Sequence, residues 1–420
     1  DISFTRDAEG RITRITAPDS KYISYGYDAN GDLVEFKDRV QTADSTKGKS
    51  EYGYNETHGM TSIKDPRGIT PIRNEYDESG RLVKHIDAFG KEIVYTHNMA
   101  ANTESVTNRM NKTVSYVYDE RGNVTSMTDA MGQVTTYTYD SYDNKLTETT
   151  GGHTTRYEYA DPASQLMTAQ IDALSNKTEY TYDANGRVLT TKDPKGNITT
   201  NTYDTKGNLL TTQDAKTNQT HYDYYVNGAV RSMLDAENNR TDYTYDAQGN
   251  MLTQAQCGVT TTYTYDTSGN RITETRPQSS GVNILTQFNY DAEGRNTSTI
   301  YADNTDTETI YDSLGKAVVR ADQKDRETVT DYDDMGRAYR VEYPDGRVEV
   351  TAYDDEGNKI KVTESIIPEI PRVTSYEYDA NGRQTKVTYP DGLYSTTHYD
   401  TEGRVDYETD EQGVTTNYSY

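Results

Sequence analysis

Tryptophan is absent from this 420-residue chain, phenylalanine occurs four times, and cysteine occurs once, as Cys257. A single cysteine excludes an intramolecular disulfide and with it a small disulfide-stapled scaffold. Apolar residues make up only 32% of the chain even when tyrosine is counted, and no apolar run approaches the length of a transmembrane helix. By composition alone, the chain has too little apolar surface to offset the entropy cost of folding.

Positive charge is also scarce, because 43 Lys and Arg face 68 Asp and Glu, which gives a net charge of −25. Phosphate binding needs clustered Lys and Arg, so this balance argues against a nucleic-acid partner and against anionic membrane surfaces. The chain has no signal peptide. It starts at Asp1 and stops at Tyr420 inside the pattern described below, so we expect a piece of a longer protein that carries any targeting signal elsewhere.

Tyrosine is abundant, with 39 residues, and it recurs in Tyr-Asp pairs at a step of 21 residues. Clear runs start at Tyr182, Tyr290 and Tyr378, and the step from Tyr245 to Tyr265 is 20 residues. A fixed step of this length is the mark of a repeat array. We therefore predict one continuous array over residues 1–420, with about twenty repeats of roughly 21 residues.

Three stretches interrupt the step, near residues 37–49, 276–287 and 365–373. The first is polar, the second contains Pro277 and Gly281, and the third contains Pro368 and Pro371. Proline and glycine mark turns and loops, so we predict longer loops between the same units. At one expected pair the chain has His97-Asn98 instead, which we interpret as a degenerate copy.

Each repeat contains two turn signals and two short strand signals, as in the unit over residues 182–202. Asp183 to Arg187 and Asp193 to Gly196 have the Asp, Asn, Pro and Gly residues that turns favour. Val188 to Lys192 and Asn197 to Tyr203 alternate in the manner of strands. Residues i and i+2 share a face, so stacked repeats place their Tyr-x-Tyr pairs in rows. The prediction is an all-β fold, a long spiralling antiparallel sheet of hairpins.

The residues that carry this pattern are the tyrosine, the following aspartate and the glycine of the first turn in each clear repeat. We predict a structural role for Tyr27, Asp28, Gly31, Tyr76, Asp77, Gly80, Tyr118, Asp119, Gly122, Tyr182, Asp183, Gly186, Tyr203, Asp204, Gly207, Tyr245, Asp246, Gly249, Tyr332, Asp333, Gly336, Tyr378, Asp379, Gly382, Tyr399, Asp400 and Gly403.

The unit resembles the YD repeat of the RHS family, most clearly at Tyr76-Asp77-Glu78-Ser79-Gly80-Arg81 and Tyr378-Asp379-Ala380-Asn381-Gly382-Arg383. That family includes bacterial polymorphic Rhs toxins, wall-associated proteins, encapsulating subunits of insecticidal toxin complexes, and teneurins. The resemblance implies a hollow β-sheet shell in a secreted or surface-displayed bacterial protein. In the toxins such a shell encloses a C-terminal effector, so the implied partner is the rest of the same polypeptide.

One feature of the family is missing from this chain. The shell commonly ends in an Asp-Pro-x-Gly-Leu core segment, whereas Asp65-Pro66-Arg67-Gly68 and Asp193-Pro194-Lys195-Gly196 are followed by Ile69 and Asn197. The self-cleavage associated with that core therefore cannot be assigned to any residue here, and we find no effector domain in the chain.

No enzyme, metal or cofactor motif stands out from the repeat. The six histidines lack metal-ligand spacing, and Gly48-Lys49-Ser50 lacks the earlier glycine of a phosphate-binding loop. Turns such as Asp28 to Asp32 are rich in oxygen ligands, but the glycine comes fourth rather than sixth as in an EF-hand. We predict no catalytic residue and no cofactor, with calcium at these turns as the alternative.

A second function stays open beside the shell. Rows of tyrosine rings can stack on sugars, so the alternative is a surface adhesion or carbohydrate-binding module with glycan partners. The sequons at Asn176 and Asn197 arise naturally where an Asn turn precedes a threonine-rich strand, and we interpret them as turn residues.

Overall fold

A computed structural model of the chain describes residues 2–43, 48–278, 281–365 and 370–420. The three predicted loop insertions fall partly outside this range, at residues 44–47, 279–280 and 366–369. The described residues form 39 strands that belong to one antiparallel sheet. The prediction of an all-β chain is confirmed.

The strands are short, because about half of the residues of each repeat lie in its two turns. The first strands are β1 (Ser3–Arg6), β2 (Ile12–Thr16), β3 (Tyr22–Tyr27), β4 (Leu33–Lys37), β5 (Ser50–Tyr54), β6 (Met60–Lys64), β7 (Ile72–Tyr76), β8 (Leu82–Ile86), β9 (Glu92–Asn98), β10 (Thr103–Thr107), β11 (Thr113–Tyr118), β12 (Val124–Thr128) and β13 (Val134–Tyr139).

The middle strands are β14 (Lys145–Thr150), β15 (His153–Tyr159), β16 (Met167–Ile171), β17 (Lys177–Tyr182), β18 (Val188–Lys192), β19 (Ile198–Tyr203), β20 (Leu209–Gln213), β21 (Gln219–Tyr224), β22 (Val230–Leu234), β23 (Arg240–Tyr245), β24 (Met251–Gln256), β25 (Val259–Tyr265) and β26 (Arg271–Pro277). The strands predicted from the unit over residues 182–202 are β18 and β19, so that prediction is confirmed.

The last strands are β27 (Asn283–Tyr290), β28 (Asn296–Ile300), β29 (Asp306–Tyr311), β30 (Ala317–Ala321), β31 (Glu327–Tyr332), β32 (Ala338–Glu342), β33 (Val348–Tyr353), β34 (Lys359–Ser365), β35 (Arg372–Tyr378), β36 (Gln384–Thr388), β37 (Tyr394–Tyr399), β38 (Val405–Thr409) and β39 (Thr415–Asn417). Two helical segments join them, α1 (Arg39–Ala43) in the first insertion and a short 3-10 helix (Pro162–Ser164).

Two compact units divide the chain. Unit 1 comprises Asp1–Tyr116, Thr128–Gly132 and Phe288–Tyr420, and unit 2 comprises Val117–Met127 and Gln133–Gln287. Within each unit, strands pair with their neighbours along the chain, as β17 pairs with β18 and β18 with β19. Successive turns therefore alternate between the two edges of a ribbon that is one strand wide.

Two kinds of turn define these edges. The first turn follows the Tyr-Asp pair, as at Asp183 to Arg187, and the second turn lies between the two strands of a unit, as at Asp193 to Asn197. In the first turn the N–H of Asp183 donates to the carbonyl of Arg187 at 2.9 Å, and the N–H of Gly186 donates to the carbonyl of Asp183 at 3.1 Å. This is a type I turn closed by a left-handed glycine, which shifts the strand register at the tyrosine.

The sheet has no thick core. Ala169 is the one apolar residue fully buried in the described part of the chain, and the other buried residues are polar, such as Thr241 at 2% exposure. In β13 the residues Thr135, Tyr137 and Tyr139 face the more buried side, while Thr136 and Thr138 are exposed. Tyrosine rings and threonine methyls thus replace leucine on the buried face.

Candidate functional site

The aspartate of the first turn organises the backbone around it. In the repeat at Asp183, its Oδ1 accepts the N–H groups of Asn185 at 2.9 Å and Arg187 at 3.0 Å. Its Oδ2 accepts Nε of Arg187 at 2.6 Å. The hydrogen bond from the Arg187 side chain is the largest cause of the lowered pKa of Asp183. The carboxylate is therefore ionised and fully engaged within its own turn.

All nine aspartates of the predicted signature accept two backbone N–H groups in this way. They are Asp28, Asp77, Asp119, Asp183, Asp204, Asp246, Asp333, Asp379 and Asp400. The nine glycines lie at φ between 74° and 98°, a region that favours glycine: Gly31, Gly80, Gly122, Gly186, Gly207, Gly249, Gly336, Gly382 and Gly403.

The residue after the glycine links one repeat to the next. The Arg187 guanidinium, held by Asp183, lies over the ring of Tyr203 in the following repeat, 4.8 Å from its centroid. The same contact occurs at 4.5–4.8 Å for the pairs Arg11/Tyr27, Arg295/Tyr311, Arg337/Tyr353, Arg383/Tyr399 and Arg404/Tyr420. Where asparagine replaces arginine, as at Asn208, its Nδ2 donates to the turn aspartate Asp204 at 2.8 Å.

The tyrosine hydroxyl completes the link. Tyr203 Oη donates to the carbonyl of Val188, the residue that follows Arg187, at 2.9 Å. The carbonyl about fifteen residues earlier is the acceptor at 2.7–3.3 Å for Tyr27, Tyr76, Tyr139, Tyr159, Tyr182, Tyr224, Tyr265, Tyr311, Tyr332, Tyr353 and Tyr399. For Tyr378 the acceptor is the carbonyl of Lys359, 19 residues earlier, at 2.8 Å.

Burial of the rings raises the pKa of several of these hydroxyls, as at Tyr182 and Tyr353. They therefore stay protonated and act as donors. The sequence pattern predicts that these rings lie in rows but not the hydrogen bond, because the acceptor of that bond is set by the strand register. Of the remaining signature tyrosines, Tyr245 meets Tyr225 edge to face at 6.1 Å, and Tyr118 also has an interaction partner.

His97 occupies the place of a signature tyrosine, and its Nε2 lies 2.8 Å from the carbonyl of Leu82, fifteen residues earlier. The degenerate copy thus keeps the same carbonyl contact with a different ring. His85 is partly buried in β8, and desolvation followed by the charge of Arg109 lowers its pKa. Its Nδ1 lies 3.0 Å from Oδ1 of Asn74 on the neighbouring strand.

A second site lies within unit 1, where second turns of residues 38–131 meet first turns of residues 291–383. We call this set of contacts the seam. It starts at α1, where the N–H of Val40 donates to Oε1 of Glu293 at 3.0 Å. Burial, with Asp38 nearby, raises the pKa of Glu293.

Farther along the seam, Arg67 donates through Nη1 to the carbonyl of Asp333 at 3.1 Å and through Nη2 to that of Asp334 at 2.8 Å. The ring of Phe89 lies 5.5 Å from the guanidinium of Arg337. Lys91 Nζ lies 3.0 Å from Oδ2 of Asp355.

The seam continues at the next two pairs of turns. The N–H of Arg109 donates to Oε1 of Glu356 at 2.6 Å. Asn381 Nδ2 donates to Oδ2 of Asp129 at 2.6 Å, and Arg383 Nη2 lies 3.3 Å from the sulfur of Met131. Partners with these hydrogen bonds are 247–267 residues apart, so no local motif could have predicted them.

The seam buries charge. Asp65 and Asp87, the first residues of two second turns, are only 8% and 3% exposed. Asp65 accepts Nη2 of Arg67 at 2.6 Å, and Oδ2 of Asp87 lies 3.0 Å from Nε of Arg109. A buried carboxylate needs such a partner, because an unpaired charge away from water is costly.

Within the described ranges, no group of three or more His, Cys, Asp or Glu residues is arranged to hold a metal ion. Over the same residues, no helix has the length and apolar character needed to cross a membrane. The expected lack of a catalyst and of a cofactor stays a prediction.

Family models match the chain in two ways. The RHS Repeat model matches residues 6–40, 118–155 and 372–394, and the Teneurin YD-shell model matches residues 163–328. A curated relative, the probable deoxyribonuclease RhsB of Dickeya dadantii (strain 3937), is 33% identical over 102 residues, which cover 21% of this chain and 7% of that protein.

Solved structures share the fold. The crystal structure of TcdB2-TccC3 without its hypervariable C-terminal region has a TM-score of 0.60 and 14% identity, over 96% of this chain and 27% of that one. The Tc holotoxin pore of Photorhabdus luminescens with the mutation TccC3-D651A has a TM-score of 0.57 and 14% identity, over 97% and 29%. This chain spans less than a third of these relatives. From the repeat geometry, the two family models and the shared fold together, the chain is a member of the RHS/YD-repeat family.

Proposed function

We propose that this chain is a non-catalytic wall segment of a shell that encloses or displays a C-terminal effector of a secreted or surface-exposed bacterial protein. The seam is the observation that carries the proposal. A free ribbon would leave both of its edges to solvent, whereas unit 1 sets two distant stretches edge to edge. Repeated contacts of this kind turn a narrow ribbon into a continuous wall.

The use of the signature residues supports a structural role. Each turn aspartate accepts hydrogen bonds from N–H groups of its own turn, and most signature tyrosines donate their hydroxyl to a strand carbonyl. Catalysis requires a nucleophile, a base or an acid that is free to meet a substrate. Groups committed to holding successive repeats together do not meet that requirement.

The relatives support the same role at a coarser level. The two solved structures share the fold over nearly all of this chain, and one of them is named as the pore of a Tc holotoxin. The Dickeya relative is named as a probable deoxyribonuclease, but the match spans 7% of its length. We therefore propose that this chain forms part of the enclosing shell, and that any toxic activity resides in other parts of such polypeptides.

The test is protection of the C-terminal region in the natural full-length polypeptide. We expect cryo-electron microscopy to show a closed cavity holding density, and limited proteolysis to leave the C-terminal region intact until urea unfolds the repeats. The matched control is the same C-terminal region mixed in trans with the 420-residue chain, which should be cleaved quickly. A solid interior, or cleavage as fast in the full-length protein as in the control, would contradict the proposal.

A further inference from the structure

The second turns of unit 1 differ according to whether they lie in the seam. In the seam, the third residue of the turn is Arg67, Phe89, Met110 or Met131. Three of these side chains contact a first turn across the seam: Arg67, Phe89 and Met131. Apolar or arginine side chains at this position therefore coincide with contact between the two stretches.

The second turns of the C-terminal stretch have a different residue there. Their third residues are Asp303, Lys324, Asp345, Asp391 and Gln412, which are all polar or charged. Exposure does not separate the two sets, because Phe89, Met110 and Met131 of the seam are exposed as well. Of the first residues, Asp65 and Asp87 of the seam are buried, whereas Asn108 and Asp129 are half-buried, as Asp322 is in the C-terminal stretch. The backbone of the turn is alike in both sets, so the side chain at the third position distinguishes them.

The partner side of the seam also has a regular chemistry. Arg337 and Arg383, the fifth residues of their first turns, meet Phe89 and Met131. Glu293 and Glu356, the third residues of theirs, accept backbone N–H groups from Val40 and Arg109. In the first turns, an arginine guanidinium therefore contacts an apolar or thioether side chain across the seam, and a glutamate carboxylate accepts a backbone N–H.

From these two patterns we infer that the second-turn edge of residues 38–131 is a self-docking surface. We call a stretch of the ribbon on one side of the seam a layer. The partner of this edge is a Tyr-Asp-x-x-Gly turn from another layer of the same ribbon. The third residue of each second turn determines whether that turn docks. The inference rests on the proposed shell, since a wall of this kind needs layers that join.

The contacts that hold the seam differ in kind from those within the sheet. Among the described residues, strands are paired by backbone hydrogen bonds, as in β9 with β10, whereas every contact of the seam uses at least one side chain. Side-chain ion pairs near a surface are weak and are screened by salt. The seam is therefore the line along which the layers separate while the sheet stays paired.

Hydrogen exchange measured by mass spectrometry on the full 420-residue chain tests this. The N–H groups of Val40 and Arg109 donate across the seam, so their exchange reports its opening. We expect Phe89→Asp and Met131→Asp to speed exchange at Arg109 by roughly ten-fold, with β9 and β10 unchanged. The matched control is Lys324→Asp, which places the same side chain at the third position of an exposed second turn and should change nothing.

A milder variant tests the same contact in case the two aspartate variants misfold. Glu356→Gln keeps the size of the side chain and removes the charge that accepts the Arg109 N–H, so that amide should also exchange several-fold faster. In the unaltered protein, raising salt to about 1 M shortens the screening length to about 3 Å and should speed exchange at Val40 and Arg109.

Three results would overturn the inference. They are unchanged exchange at Arg109 in Glu356→Gln and both aspartate variants, an equal effect of Lys324→Asp, and equal acceleration in β9 and β10. A seam that fails in this way leaves the protease-protection test of the shell unaffected, so the two proposals fail separately.

Discussion

At the scale of single residues, four residues of the motif together hold one repeat to the next. Aspartate closes the turn, and glycine adopts the left-handed backbone conformation that the turn requires. Arginine or asparagine donates a hydrogen bond to the aspartate, and tyrosine donates one to a carbonyl of the preceding repeat. Each link contributes little alone. A hydrogen bond adds about 1 kcal/mol and an exposed cation–π contact about 0.5–1 kcal/mol. Recurrence along the array makes the sum large.

The tyrosine link predicts the effect of removing one hydroxyl. Tyr203→Phe keeps the ring over Arg187 but loses the bond to the carbonyl of Val188, at a cost of about 1 kcal/mol. We expect amide exchange in β18 and β19 to become about five-fold faster. The control is Tyr180→Phe, which removes a hydroxyl that makes no bond to a strand carbonyl among the described residues. Equal effects of the two variants would disprove a specific role for the Tyr203 hydroxyl.

At the scale of strands and turns, the sequence pattern predicted much of the structure because the interactions are local. Asp183 to Arg187 and Asp193 to Gly196 carry their own turn chemistry, so both turns could be placed without knowledge of the fold. The polar insertion near residues 37–49 was predicted only as a loop. Five of its residues form α1, which rests against Glu293 more than 250 positions away.

A glycine of the first turn offers a clean test of backbone strain. Gly122 lies at φ 92°, and a Cβ added there would meet nothing within 4 Å. Gly122→Ala should therefore lose about 1 kcal/mol from the left-handed backbone alone. Gly122→Asn should lose less, because asparagine tolerates that region. The measurement is exchange in β11 and β12, and equal exchange in both variants would rule out strain as the cause.

Calcium binding at first turns such as Asp28 to Asp32 is the alternative to a purely structural role for their oxygen atoms. At Asp28, Oδ1 already accepts the N–H groups of Asn30 and Asp32, both at 2.9 Å. A calcium ion would have to compete with these bonds. We expect neither millimolar calcium nor excess EDTA to shift the thermal unfolding midpoint. A rise with calcium that EDTA reverses would establish a metal site.

At the scale of the whole molecule, acid should unfold the array. Hydrogen bonds from side chains and backbone lower the pKa of many turn aspartates, and the Arg326 side chain lowers that of Asp322 to about 2. A carboxyl with a folded pKa below its unfolded value of 3.8 stabilises the fold above that pH. This stability is lost as the pH falls from about 4 toward 2.

Circular dichroism across this range should show one loss of β-structure between about pH 4 and pH 2. Proton uptake on unfolding at pH 3, measured by titration, should be positive because the unfolded chain binds more protons. Structure that persists to pH 2 would show that the turn carboxylates add no net stability.

How far the sequence could predict the molecule depends on the distance between interacting residues. The 21-residue step predicts repeats, hairpins and rows of tyrosine, all of which involve near neighbours. The bond from Tyr203 to Val188 needs the strand register, and the contact of Arg67 with Asp333 needs the path of the whole ribbon. Neither is encoded in a local pattern.

The separation of roughly 250 residues across the seam has a consequence for how such genes change length. Recombination between repeats can remove or duplicate one unit without harming any turn, because each turn carries its own chemistry. Every layer contact downstream would nevertheless meet a partner one repeat out of phase. Selection should therefore tolerate point changes within a repeat far better than a change in the number of repeats per layer.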